Sequence, residues 1–199
     1  MCGIVGITSS KEVTPRIVSS LKKLEYRGYD SAGIATLSNG SINEVKCEGR
    51  VDTLEKNIVQ TKISGSIGIG HVRWATHGKP SSINAHPHSS EDVSVVHNGI
   101  IENYAEIKKD LLKEGFEFKS DTDTEVVAVE LSRKWSGELL KTVVDVASSL
   151  EGTYALLVTT TKEEGTIVAG RLMSPLVLGV GDDEVFLASD SAAILELEQ

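Results

Sequence analysis

Apolar positions along the chain switch between two spacings, and each switch marks an element. Residues 3–7, Gly-Ile-Val-Gly-Ile, are small, β-branched and apolar without a break, the pattern of a buried strand. Over 15–24 the apolar residues Ile17, Val18, Leu21 and Leu24 fall at helical spacing, with Thr14 and Pro15 as cap and first turn. A strand over 34–37 is followed by Asn39-Gly40, a hairpin signal, and by an alternating return strand over 42–47 that includes Cys47. Leu54, Ile58 and Val59 predict a second helix, and 65–72 a third strand region. A strand over 93–96 is expected to end at His97-Asn98-Gly99, and Ile107, Leu111 and Leu112 mark a helix stopped by Gly115. Ser120 to Glu125 reads as capping residues for the next helix, with Thr122 and Glu125 at capping-box spacing. A helix over 138–150 and four short apolar runs over 154–160, 165–169, 176–179 and 185–188 complete the pattern. Strands and helices come in blocks without internal repeat, which predicts an α+β layered sandwich.

One stretch has neither period. Residues 73–90 form a long loop, running from Arg73-Trp74-Ala75-Thr76-His77-Gly78 through Asn84-Ala85-His86-Pro87-His88. Loops of that length are more often functional or mobile than idle; an ordinary surface excursion also fits, but an exposed Trp beside an Arg points to a binding lid. Glycines at 65, 68 and 70 do not make a phosphate loop, because neither Gly-x-Gly-x-x-Gly nor a Lys-Ser/Thr ending is present.

Composition narrows the classes. The 199 residues, 40% hydrophobic and 25% charged with no linker-like shift, predict one domain. A net charge of -9 argues against nucleic acid and anionic membrane as partners, since Lys22, Lys23 and Arg27 are too small a basic cluster to compensate. No run of 18 apolar residues spans a bilayer, no basic region precedes 3–7 as in a secretory signal, and Cys2 stands where myristoylation needs Gly. Cys2 and Cys47 are not a disulfide framework, so a reducing cytoplasm is expected. The five histidines show no His-Glu-x-x-His and there is no Cys-x-x-Cys, so neither a metal nor another cofactor is expected; His86 and His97 read as hydrogen-bonding loop and strand residues.

Cys2 offers chemistry of its own. With Met1 removed, one residue carries both a thiol and a free α-amine. The amine titrates at about 7.7–8.0, so it is partly unprotonated at neutral pH and can take the thiol proton.

Five ordered blocks extend this reading: Met1-Cys2-Gly3-Ile4-Val5-Gly6, Tyr26 to Gly33, Gly70 to Gly78, Val96-His97-Asn98-Gly99 and Thr122-Asp123-Thr124-Glu125. Together they resemble the class II glutamine amidotransferases, whose glutaminase domain is an N-terminal nucleophile hydrolase. The loops at 26–31, 73–78 and 84–88 are similar to the branch that passes ammonia to fructose 6-phosphate for glucosamine 6-phosphate synthesis. The resemblance implies a four-layer α-β-β-α sandwich spanning 1–199, C-terminally incomplete, with the sugar-isomerase domains that normally share the chain absent. It implies glutamine as substrate, Cys2 as nucleophile, and Asn98 with the Gly99 N–H as oxyanion hole. Arg73 would hold the substrate carboxylate and Asp123 its ammonium group, with Trp74, Thr76 and His77 in the closing loop. Read alone, Asp123 also fits a helix cap and Asn98 a turn. A silent glutamine-binding module, or an N-terminal nucleophile amidase for another amide, also fits the same residues. Homo-oligomers are compatible with this pattern.

Overall fold

The computed structural model describes residues 2–195. In chain order its elements are β1 Gly3–Ser9, α1 Thr14–Leu24, β2 Ser31–Ser38, β3 Ser41–Glu48, α2 Val51–Thr61, β4 Ile67–Arg73, β5 His88–Ser90 and β6 Val93–Ile101. There follow α3 Tyr104–Lys113, α4 Asp123–Arg133, α5 Leu139–Ala147, β7 Gly152–Thr160, β8 Ile167–Leu172, β9 Val177–Val180 and β10 Glu184–Ala188. The strands form two antiparallel sheets, one in the order β3-β2-β4-β1-β10-β9 and the other β5-β6-β7-β8.

Three apolar layers hold four structural ones. Helices α1 and α2 cover the six-stranded sheet through Ile17, Leu21, Leu24 and Leu54 against Val5, Ile7, Ile34 and Val72. The sheets face each other across Ile4, Ala35, Ile69, Val96, Ala155 and Leu157. Helices α4 and α5 cover the four-stranded sheet through Val127, Leu131, Val143 and Val146. On α4, Val126 and Val129 turn instead toward Leu111 of α3. This is an α-β-β-α sandwich.

The two-residue period of β1 and β4 explains why these layers close. Val5 and Ile7 point toward α1, while Ile4 points at the second sheet. On β4 the glycines at 68 and 70 occupy the α1 side. A Cβ there would fall 2.8 and 2.6 Å from carbons of Ile17, so the glycines let the helix rest on bare strand. Packing, not phosphate binding, accounts for them.

Several local expectations are refined. The Asn39-Gly40 turn is present, with φ of 52° and 69°. Thr14 does not cap α1. Glu12 does that work, accepting the Thr14 N–H at 2.9 Å and the Gly65 N–H at 3.0 Å, and so ties the helix to the approach to β4. The capping box is half formed: Thr122 Oγ1 accepts the Glu125 N–H at 3.3 Å, but the Glu125 carboxylate reaches past Thr122 to the Lys119 and Ser120 amides. Strand β6 does not end at His97; it runs on through Asn98 and Gly99 because β7 pairs with it as far as Ile101. The long loop is shorter than its sequence implies, since 88–90 form β5. Strand β10 is paired on both sides, so among the described residues β9 is the edge at that end of the sheet and β3 at the other. Among the described residues no helix is long and apolar enough to cross a membrane.

Leu157 is fully buried between the sheets, whereas Leu140 is exposed on α5. Leu157→Ala is expected to lower the unfolding free energy by about 2–5 kcal/mol, and Leu140→Ala to change it by no more than about 0.5 kcal/mol. Urea titration of both variants checks the contrast, and equal effects would place the core elsewhere.

Candidate active site

Antiparallel pairing of β1 with β4 sets Gly3 opposite Val72. The residues just outside that pair, Cys2 and the Arg73-Trp74 dipeptide, are therefore brought together. Trp74 N–H points at Cys2 Sγ at 3.4 Å, and the thiol in turn lies 3.6 Å from the Trp74 carbonyl oxygen. Burial pushes the Cys2 thiol above its ordinary range, while the Trp74 amide and the Arg73 charge pull it down and the Asp30 charge pushes it up. The upward shift prevails, so the sulfur is held as a thiol and needs a base to become a nucleophile.

A second group is assembled by β6 and α4. His71, opposite Ile4 on β4, donates from Nε2 to the His97 carbonyl at 2.9 Å, bridging the two sheets beside the cysteine end of β1. Asn98 and Gly99 follow His97 directly. Asn98 is 2% exposed, and its Nδ2 is buried with no partner among the described residues. An unpaired buried donor costs about 1–3 kcal/mol, which makes sense if an acceptor arrives from outside. At Gly99 φ is 146°, and a Cβ would fall 1.9 Å from the Thr153 oxygen, so only glycine fits. Asn98 therefore does not turn the chain; it extends a strand.

Asp123 opens α4 but does not cap it, since Thr122 is the capping residue. It is 5% exposed, and its Oδ2 accepts the Ile101 N–H at 2.9 Å and lies 3.9 Å from His97 Nδ1. Next to it, Thr124 Oγ1 sits between His86 Nε2 at 2.7 Å and His97 Nδ1 at 3.0 Å. His71 and His86 stack with centroids 4.1 Å apart, and His88 bonds Thr122 Oγ1 at 2.9 Å. Burial holds this group neutral: His71 is pushed down to about 3, and His86, His88 and His97 are lowered too. No cluster of three or more metal-binding side chains occurs among the described residues.

The loop after β4 folds back over its own root. Arg73 is buried, and its guanidinium donates to the carbonyls of His77, of Gly78 at 3.3 Å and of Lys79 at 3.5 Å. The His77 ring lies 5.2 Å from that of Tyr104, which begins α3. Trp74 is 51% exposed and meets Tyr29 edge-on, and Thr76 is exposed. Cys2, Arg73, Trp74 and His77 thus form one group and Asn98, Gly99 and Asp123 another, joined at the His71–His97 bond; Thr76 is an exposed residue of the loop between Trp74 and His77. Arg27 is engaged elsewhere, with Asp190 at 2.9 Å. Cys47 is a buried residue of β3. Asp30, at the head of β2, went unassigned in the sequence; its signal there was an acidic residue placed between a glycine-bearing loop and a strand.

A cysteine at the head of a central strand, in two facing antiparallel sheets covered by helices, defines an N-terminal nucleophile hydrolase sandwich. The sequence pattern of the "Glutamine amidotransferase domain" family matches residues 71–196, and the chain belongs to that family. It is 52% identical over 197 residues to a protein of Clostridium acetobutylicum named glutamine–fructose-6-phosphate aminotransferase (isomerizing), covering 98% of this chain and 32% of that one. A protein of the same name from Caldanaerobacter subterraneus is 50% identical, with 98% and 33% covered. The chain therefore spans about a third of the length of these curated relatives. Among solved structures, the glutamine phosphoribosylpyrophosphate amidotransferase of B. subtilis superposes with a TM-score of 0.86 at 28% identity, over 99% of this chain and 44% of that one.

The neutral histidines make stability depend on pH. Unfolded, each titrates near about 6.5, so below that pH the unfolded chain binds more protons than the folded one. Stability is thus complete above that value and falls as pH drops toward the folded pKa, by up to about 1.4 kcal/mol per unit for each histidine. Urea unfolding at about pH 7, 5.5 and 4.5 is expected to show a falling midpoint, in a window mostly above the carboxylate range; a flat profile would mean the cluster is hydrated.

Proposed function

We propose that the chain hydrolyses glutamine to glutamate and ammonia through a γ-glutamyl thioester on Cys2, once Met1 has been removed. The observation that carries this is Cys2 Sγ held against the Trp74 peptide at the head of β1. The freed α-amine takes the thiol proton, and the sulfur attacks the side-chain carbonyl carbon of glutamine. Asn98 Nδ2 and the Gly99 N–H receive the oxyanion, a role supported by the unpaired, buried state of that nitrogen. Return of the proton to the leaving nitrogen releases ammonia. Water then attacks the thioester, releasing glutamate and restoring the thiol.

Glutamine presents a carboxylate and an ammonium group on its α-carbon, and Arg73 and Asp123 have the matching charges. The Arg73 guanidinium is turned to the carbonyls of 77–79. A substrate carboxylate competes with those carbonyls for it, which couples binding to movement of the loop bearing Trp74, Thr76 and His77.

The names and lengths of the relatives support a wider reading. This chain supplies the ammonia, and sugar-isomerase domains join it to fructose 6-phosphate. The two free cysteines suit a reducing cytoplasm.

Glutamate and ammonia followed over time in protein whose mass proves Met1 removal is the direct test; absence of turnover there sinks the proposal. Asn98→Ala is expected to lower turnover by about 10²–10³ with little loss of glutamine binding. An amide lacking the α-charges is expected to be a poor substrate, and equal rates would remove Arg73 and Asp123 from recognition.

A further inference from the structure

Between α1 and β2 the chain passes through Gly28, Tyr29 and Asp30, a segment that lies against the peptides on either side of Trp74. A Cβ at position 28 would fall 2.5 Å from the Arg73 carbonyl carbon and 2.7 Å from the Trp74 nitrogen, so the contact is backbone on backbone. Asp30 N–H donates to the Arg73 carbonyl at 3.2 Å, and Asp30 Oδ2 accepts the Ala75 N–H. One residue therefore grips the peptide group before Trp74 and the one after it. Trp74's own N–H and C=O are the groups that meet Cys2 Sγ. Asp30 is itself braced: its Oδ1 accepts the Ser31 hydroxyl at 3.1 Å, and its carbonyl accepts the Gly49 N–H at 2.8 Å.

We propose that Asp30 is a positioning residue for the nucleophile, its carboxylate latching the 73–75 turn so that the Trp74 N–H stays aimed at Cys2 Sγ. The latch serves the proposed glutaminase, and half of its test is independent of that reading. A thiolate accepts the Trp74 N–H and is stabilised by it, whereas the Asp30 charge opposes the thiolate. In the processed protein the α-amine of Cys2 itself acts on the sulfur, equally in all variants; from the adjacent elements the charged side chains that act on it are Arg73, at the end of β4, which favours the thiolate, and Asp30, at the head of β2, which opposes it. Asp30 thus has two effects of opposite sign, and substitution separates them. Asn keeps an acceptor for the Ala75 N–H and removes the charge. Ala removes both.

The experiment uses Met1-processed parent, Asp30→Asn and Asp30→Ala proteins. Each is alkylated with iodoacetamide across a pH series, and Cys2 modification is followed by the mass of the N-terminal peptide, which separates it from buried Cys47. The Asp30→Asn midpoint is expected below that of the parent, because the opposing charge is gone. Asp30→Ala is expected above Asp30→Asn, because the loosened turn no longer donates to sulfur. Glutamine turnover by Asp30→Ala is expected to be about tenfold or more below that of Asp30→Asn, mainly in kcat. Coinciding alkylation midpoints for the two variants would overturn the latch. The expected order of midpoints in proteins that release no glutamate would support the latch and overturn the glutaminase reading.

Discussion

Everything in this molecule leans on the burial of β1. The strand is hydrogen-bonded on both sides, to β4 and to β10, and packed on both faces, against α1 and against the second sheet. A strand held this way resists fraying, and Cys2, next to its first residue, is half-buried at the rim. The chemistry proposed for Cys2 demands that combination: a nucleophile held firmly enough to aim and open enough to be reached. The pairing with β4 also chooses the neighbour, because the register that sets Gly3 opposite Val72 leaves the Trp74 peptide beside the sulfur.

The second half of the site is held by a polar seam that an ordinary core would not contain. Four histidines are buried where β4, β5, β6 and the loop 74–87 meet the start of α4. Their burial is tolerable because they are neutral and because each bonds a carbonyl or a hydroxyl through one ring nitrogen, with Thr124 serving His86 and His97 at once, although the second ring nitrogen of His71, His86 and His97 is buried without a partner among the described residues. Directional bonds of this kind fix one arrangement where apolar packing would accept several. The seam thereby fixes the strand carrying Asn98 and Gly99 relative to the helix carrying Asp123.

Much of the fold was legible because it follows local rules. The apolar run of 3–7, the helical spacing of Ile17, Val18, Leu21 and Leu24, the Asn39-Gly40 turn and the stop at Gly115 each depend on a few neighbouring residues. Errors fell where a partner distant in sequence intervened. Strand β6 outran its apolar stretch because β7 pairs with Asn98 and Gly99, and Glu12 displaced Thr14 as the cap because Gly65 needed an acceptor as well. Glycines 68 and 70 had no visible purpose until α1 was laid over them.

By itself the sequence determined most of the element types, the acidic net charge, the lack of an apolar run long enough for a spanning helix, and the family, through ordered blocks around Cys2, Arg73, Asn98 and Asp123. Only the tertiary structure decided that the Trp74 amide meets the sulfur, that Asp30 holds the peptides around it, and that Asn98 buries an unpaired donor. Side-chain periodicity reports which face of an element is apolar. It carries no information on register or on which loops meet, since those are set by pairings between residues far apart in the chain.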